Sequence, residues 1–431
     1  MTNLKVLISG AGIAGNALAF WLSKLGHEVT VVERFPNLRT SGLQVDIRGH
    51  GIGVLKRMGL EGAFRSNAVP EQGMQMVDST GRRRAYFPAN KSGTGSQSFT
   101  SDYEIMRGDL CRIIYDATKD RAKYVFGTSI ETFEEKGRAI EVRFANGEKA
   151  RFDILVGADG QRSQTRKIML GSDGEDPFHP LNEYTAYFTI PRPMEDGEEY
   201  IATSYIAPGG RFVLTRRHNP RRMQVYLTGK SVTEKLKGVE RGDVREEKKA
   251  FAEAFRGAAW QVEVILESLM EADDFYCESQ GLVKLYPWYK GRVVLLGDAA
   301  YCPSASTGMG TSSAIVGAYI LAGEIGVHCQ GEVAKDAHTA AFQAYDDKFR
   351  PFMSQVQKGV GDPSVFDKIP WSSSTIAVFY WVLCLASCLR LDLLGGVLGG
   401  EPVKGWELPK YDILTDNAEA DEGCRTDSTG R

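Results

Sequence analysis

The sequence predicts an α/β protein: a doubly wound parallel sheet, an antiparallel sheet threaded through it, and a helical C-terminal region. Three observations predict it. Short runs without alternation, at Lys5–Ile8, Phe152–Val156 and Val293–Leu296, read as strands buried on both faces. Residues 181–228 instead alternate apolar with polar and carry Gly and Pro between runs, the pattern of an antiparallel sheet. Ile376–Leu389 is an apolar run flanked by Ser372–Ser374 and Arg390.

In chain order, the first buried run leads through a glycine-rich turn into a periodic helix over Ile13–Leu25, which Gly26 ends, and a second strand follows over His27–Glu33. This order opens a doubly wound sheet. Residues 43–64 read as partly helical, Met74–Pro88 as antiparallel strands, and Asp102–Thr118 as a strand end and a helix. Tyr124–Phe144 alternates, and Asn146-Gly147 marks a hairpin. Lys235–Phe255 reads as a charged helix and Ala314–Val327 as a buried one. The resulting division is discontinuous. Residues 1–70, 100–175 and 281–355 form the parallel-sheet domain, 71–99 and 176–280 the antiparallel domain, 356–412 a helical brace, and 413–431 a disordered tail.

Composition narrows the function. With 52 Lys plus Arg against 55 Asp plus Glu, the net charge of −3 leaves no electrostatic footprint for nucleic acid. The seven cysteines are scattered, without metal-type spacing. Cys384 and Cys388, one helical turn apart, read as small buried residues. A strand begins almost at once, so no secretory signal is expected, and the expected setting is cytoplasmic and reducing. His50, His179 and His218 are isolated and receive no catalytic role. Arg82–Arg84, Arg216-Arg217 and Arg221-Arg222 read as solvated turn charges. Tyr184, Tyr187 and Tyr205 read equally as pocket lining or as core.

Gly10-Ala11-Gly12-Ile13-Ala14-Gly15 carries the first chemical signal. Gly10 allows the tight turn, Gly12 lets a pyrophosphate approach the backbone, and Gly15 lets helix and strand pack closely. The helix start presents unpaired N–H groups to the phosphates. Glu33, about 20 residues on at the end of the next strand, is placed to accept from a ribose hydroxyl. FAD and NAD both fit this fingerprint.

Four later segments occur in order: Glu104–Leu110, containing Arg107; Asp153–Gly160, followed by Ser163 and Arg166; Gly297-Asp298-Ala299-Ala300, followed by Pro303, Gly308 and Gly310; and Leu408–Tyr411. Together with the glycine turn they resemble the aromatic-hydroxylase class of FAD monooxygenases, which includes the tetracycline-inactivating monooxygenases. The resemblance covers nearly the whole chain. It implies a Rossmann-like FAD domain, with FAD held by Gly10, Gly12, Ile13, Ala14, Gly15, Glu33, Arg34, Arg39, Arg107, Asp159, Gly160, Asp298, Pro303, Gly308, Gly310 and Thr311. In that family the arginine matching Arg107 contacts the flavin, the Asp159-Gly160 motif serves both FAD and nicotinamide, and the aspartate matching Asp298 binds the sugar-alcohol chain. The loop Gly42–Arg48 resembles one that lies along the flavin. Asp46 and Arg48 are therefore the candidate catalytic residues, read as pointing to opposite sides of an extended segment.

The implied reaction is monooxygenation. NADPH or NADH reduces the flavin, O2 reacts with it, and one oxygen atom enters a small organic substrate. The hard chemistry is the cofactor's, which explains why no acid–base dyad stands out. Alternatives on the same fold are a flavin-dependent reductase, a halogenase (whose Trp-x-Trp-x-Ile-Pro segment is absent from the sequence) and a non-catalytic escort protein. The chain departs from the family at four positions: Tyr301 for a histidine, Ala305 for a proline, Ser312 for an asparagine and Gly317 for an acidic residue. No membrane partner is expected. Ile376–Leu389 covers 14 residues, about 21 Å at about 1.5 Å each, short of the ~30 Å hydrocarbon core. It reads as a brace buried against both domains, with a peripheral lipid contact as the alternative.

Overall fold

Val6, Leu7 and Ile8 are fully buried because their strand runs through the middle of a sheet. In the computed structural model, which describes residues 3–40, 42–89, 102–171, 174–329, 336–362, 369–389 and 403–415, that sheet has six strands. Their order is Tyr289–Lys290, Val293–Leu295, Ile154–Gly157, Lys5–Ser9, Glu28–Glu33 and Lys123–Phe126. All neighbours are parallel except the first two. Helices Ile13–Lys24 and Gly310–His328 pack against each other beside it. The second is the one described helix long and apolar enough to cross a membrane, but 83% of that stretch is buried inside the protein, so it is a core helix. The Asn146-Gly147 hairpin closes a small satellite sheet of Ile130–Lys136, Ala139–Phe144 and Lys149–Phe152.

The second large sheet has seven strands, ordered Tyr276–Val283, Phe178–Pro191, Arg222–Gly229, Arg211–Asn219, Ile201–Ala207, Gly73–Val77 and Arg83–Pro88. It is antiparallel except where Ile201–Ala207 meets Gly73–Val77, a strand contributed from earlier in the chain. One face packs Phe188, Val213, Val225 and Leu227 against helices Val244–Phe255 and Val262–Glu271. Residues directly opposite on neighbouring strands share a face. The other face therefore carries Tyr187, Tyr226, Tyr276, Glu278, Gln224 and Arg216.

Three expectations need correction here. The single helix over Lys235–Phe255 is two, Lys230–Leu236 and Val244–Phe255. Gly238 and Gly242, both at positive φ, break it, and Asp243 caps the second through Glu246 N. The brace is also divided. Helix Ser373–Cys388 packs on the seven-stranded sheet, burying Ile376 and Tyr380 and leaving Cys384 and Cys388 exposed. The contact with the FAD side comes from the following described chain: Val403, Tyr411 and Leu414 join the core around helix Gly310–His328. Finally, Asp412–Thr415 forms a short helix with Leu414 buried, so the ordered chain runs past 413; the remainder of the expected tail, 416–431, lies outside the described residues.

Candidate active site

The cleft forms where the glycine turn meets three later segments. Gly10 has φ +107°, and a Cβ there would fall 2.5 Å from Ala158 O. A Cβ on Gly15 would fall 1.9 Å from Gly10 O, so helix and strand pack as closely as the fingerprint requires. Gly12 is different. A Cβ there would meet only Arg107 Nη2, at 3.7 Å, so its side faces open space. Helix Ile13–Lys24 begins with Ile13 and Ala14, has no side-chain cap, and has no acid in its first turn. Its N–H groups and dipole are left for an external anion.

Glu33 accepts from Ala11 N at 2.9 Å and from Phe35 N at 3.1 Å, which fixes its carboxylate beside the turn. Arg34 and Arg39 both lie over the Phe35 ring, and Arg39 also over Tyr276. Burial, then the charges of Arg107 and Arg34, holds the Arg39 guanidinium below its ordinary pKa, with Tyr276 and Glu278 opposing. Three like charges around an open glycine turn and an uncapped helix start supply the positive charge and free N–H donors that a diphosphate would need.

Asp298 follows Gly297, whose Cβ position lies 2.9 Å from Ala14 Cβ; the third motif thus abuts the first. Asp298 is exposed at the floor of the cleft yet ringed by protein groups. Lost hydration raises its pKa, while Arg107 and a Cys302 hydrogen bond oppose the shift. Facing it from the seven-stranded sheet is Glu278, pushed up to about 7 by burial first and by Asp298 second, with Arg241, Arg107 and Arg39 pulling it down.

Asp46 and Arg48 form an ion pair, which corrects the expectation of opposite sides. Residues two apart on an extended segment share a side, and these two close over Gly308, whose Cβ position is 3.8 Å from Arg48 Cζ and 3.9 Å from Asp46 Oδ1. Ser312, where the resembled family has asparagine, accepts from Arg48 N at 2.8 Å and ties this loop to helix Gly310–His328. Gly310 and the half-buried Thr311 open that helix, which also lacks a side-chain cap. Pro303 is buried, and Ala305 is exposed.

The Asp159-Gly160 motif lies at the edge of this assembly, and its side chains face inward. Asp159 accepts from Thr165 N at 2.9 Å and from the hydroxyls of Ser163 and Thr165, which holds it against the start of helix Gln164–Leu170 beside the capping Ser163; Gly160 takes the turn at φ +84°. Arg166 is buried and donates to Ala299 O at 2.9 Å, tethering the Gly-Asp helix. Of the predicted residues, the glycine turn, Glu33, Arg34, Arg39, Arg107, Asp298 and the Asp46–Arg48 pair surround the cleft, while Asp159, Gly160 and Pro303 support its walls.

Sequence reasoning missed a buried polar network behind Asp46. Gln44 Nε2 donates to Glu71 at 2.7 Å and to Glu104 at 2.5 Å. Arg216 Nη2 pairs with Glu71 at 2.6 Å and also with Glu104. Gln44 N donates to Gln224 at 3.0 Å, so the network joins the seven-stranded sheet to the short ladder of Gln44–Asp46 and Glu104–Met106. Burial pushes Glu104 up to about 7; Arg216 pulls it down, and Glu71 and Asp46 add to the rise. Reading Arg216-Arg217 as turn charges was wrong: both lie in strand Arg211–Asn219, and the buried Arg217 pairs with Glu198 at 2.7 Å. The alternation of Phe212–Thr215 running into them was the available signal. His218, Arg222, Asp274 and Tyr276 line a cavity of about 150 Å3 between the sheet and Thr40, Gly42 and Leu43. Tyr187 stacks on Tyr276 with ring centroids 4.9 Å apart, on the cleft-facing side, whereas Tyr205 is core and donates to Ala258 O at 2.6 Å.

Residues 3–359 match the model of the FAD binding domain family. The chain is 49% identical over 427 residues to the FAD-dependent monooxygenase asL4 of Sarocladium schorii, covering 96% of this chain and 99% of the relative. It is 44% identical over 370 residues to the flavin-dependent monooxygenase eupH of a Phoma species, covering 82% and 85%. Among solved structures it is similar to the tetracycline destructase Tet(51), with TM-score 0.72 and 28% identity over 95% of this chain and 99% of that one. The open glycine turn, its arginines and the facing Asp298 fit FAD, and the chain belongs to the FAD binding domain family, as one of its FAD-dependent monooxygenases.

Proposed function

We propose that the protein oxidises NADPH or NADH, consumes O2, and inserts one oxygen atom into a small, natural-product-like organic molecule, aromatic or polyketide in character. One observation carries this reading. Arg34, Arg39 and Arg107 cluster on one side of the cleft, and the aromatic face of Tyr187, Tyr226 and Tyr276 lies beside them, so a bound flavin and a planar substrate would share one cleft. The name of one similar solved structure, a tetracycline destructase, supports the substrate class.

FAD, when bound, accepts hydride and activates O2. This chain's own residues would do the rest. The turn N–H groups and the three arginines would hold the diphosphate, Glu33 a ribose hydroxyl, and Asp298 the hydroxyls of the sugar-alcohol chain. Arg48, oriented by Asp46 and Ser312, would set positive charge at the cleft mouth. Tyr187, Tyr226 and Tyr276 would stack on the substrate and exclude water. With its pKa raised to about 7, Glu278 would hold or release a proton near neutrality. The chain has no second glycine fingerprint, so the nicotinamide would dock transiently against the FAD side. Purified protein should carry non-covalent flavin and oxidise NADPH or NADH faster with its substrate present. Folded protein that takes up no FAD would overturn this reading.

A further inference from the structure

Of the eleven large apolar side chains that the described structure leaves exposed, five lie on one helix or at its C-cap: Val378, Trp381, Val382, Leu385 and Leu389. Trp381 is 67% exposed. Their spacing puts them on one stripe of helix Ser373–Cys388. The opposite stripe anchors the helix. Ile376 and Tyr380 pack on Met76, Ala85 and Phe87, and the Tyr380 hydroxyl accepts from Ile206 N at 3.2 Å. Ser387 Oγ accepts from Tyr86 N at 3.2 Å and donates to Tyr86 O at 2.6 Å, which covers the edge strand of the seven-stranded sheet. The outward stripe is therefore held away from the protein by a fixed inner one.

No charged residue occurs anywhere in Ser373–Cys388. Charge comes from the neighbouring edge strand, where Arg82, Arg83 and Arg84 are all exposed. Asp78 pairs with Arg84 at 2.7 Å, which leaves the run two positive charges in excess of its acid. We infer that this helix docks on an anionic lipid surface, lying in the interface with Trp381 and the Val378–Leu389 stripe among the acyl chains and the arginine run at the headgroups. Sixteen residues reach about 24 Å, so the helix lies in the surface and does not span it. A second copy of this chain would need no anionic surface and would leave the arginine run without a partner of opposite charge.

Met76 pairs with Ser204, Ser204 with Leu214, and Leu214 with Tyr226, so the helix sits on the same sheet face as the aromatic cleft lining. Docking would bring a greasy substrate to that face without crossing water.

The test uses full-length FAD-loaded protein floated with phosphatidylcholine vesicles, with and without phosphatidylserine, beside sedimentation velocity of the protein alone. Expected is flotation that needs phosphatidylserine and weakens with salt. Trp381→Ser with Val382→Ser should cut the bound fraction about tenfold or more. Arg82→Glu with Arg83→Glu should remove the phosphatidylserine preference. These residues are exposed, so the variants should keep FAD and melting temperature, and the arginine pair tests the proposal if the apolar pair misfolds. Wild type that stays with neither vesicle, flotation indifferent to both pairs, or a dimer that the apolar pair dissociates would each overturn it.

Discussion

The hydroxyl of Tyr301 lies 2.1 Å from where a Cβ on Gly317 would fall. These are two of the four positions at which the chain departs from the family it resembles, and they meet in space: the larger residue at one occupies the volume vacated at the other. Tyr301 is buried, with its hydroxyl 3.2 Å from that of Tyr345, directly behind the Gly-Asp turn. Gly317→Ala should therefore destabilise the protein by about 1–3 kcal/mol through overpacking. Tyr301→Phe should recover part of that loss, since the ring carbon Cζ would still sit 3.2 Å from the new Cβ. Thermal unfolding of the double-mutant cycle measures the coupling, and purely additive effects would separate the two residues.

Gly12 and Gly15 should behave oppositely. Gly12→Val meets open space in the free protein and blocks only the ligand, so the variant should fold and take up no FAD. Gly15→Ala drives its methyl into Gly10 O and should lower the melting temperature whether or not FAD is present. Circular dichroism and flavin titration distinguish the two outcomes.

Arg107 and Arg39 repel each other, and Arg107 is the second-largest cause of the depressed Arg39 pKa. Arg107→Met should weaken FAD binding about tenfold to a hundredfold, the worth of a charge-assisted hydrogen bond. The flavin-free protein should lose little stability or gain some. Calorimetric titration with FAD and melting of the apoprotein provide the two readouts.

The Arg48 loop depends on Ser312. Ser312→Ala removes the acceptor for Arg48 N and should cost about 1–3 kcal/mol in ordering that loop. FAD content should remain, while NAD(P)H oxidation becomes less tightly coupled to product. The ratio of product formed to nicotinamide consumed reports this.

Glu104 sets a pH dependence. Its folded pKa of about 7 lies above the ordinary carboxylate value of 4.5, so the folded state binds the proton more tightly. The associated stability is fully present below about pH 4.5 and is lost as pH rises through about 7. Denaturant unfolding of wild type should show this decline, and Glu104→Gln should flatten it. An unchanged slope would mean that Arg216 keeps Glu104 ionised throughout.

The parallel sheet and its glycine turn were legible because the signal is local: strand, turn, helix and Glu33 fall within residues 5–33. Asp298 was legible for the same reason. The network of Gln44, Glu71, Glu104 and Arg216 was not, since Arg216 meets partners 112 and 145 residues away and the sheet register that unites them has no local trace. Glu278 likewise faces Asp298 only once its strand is placed at the sheet edge beside the cleft. The apolar helix was found, but its period could not say that only one stripe has a partner.

In the proposed reaction one oxygen atom passes from O2 into an organic substrate in the cleft. Turnover under 18O2 with NADPH or NADH and a natural-product library, read by mass spectrometry, tests it most directly. A product heavier by a single 18O atom, formed by wild type and lost in Asp298→Ala together with FAD, is the predicted result. A turned-over product with no label from 18O2 would contradict it.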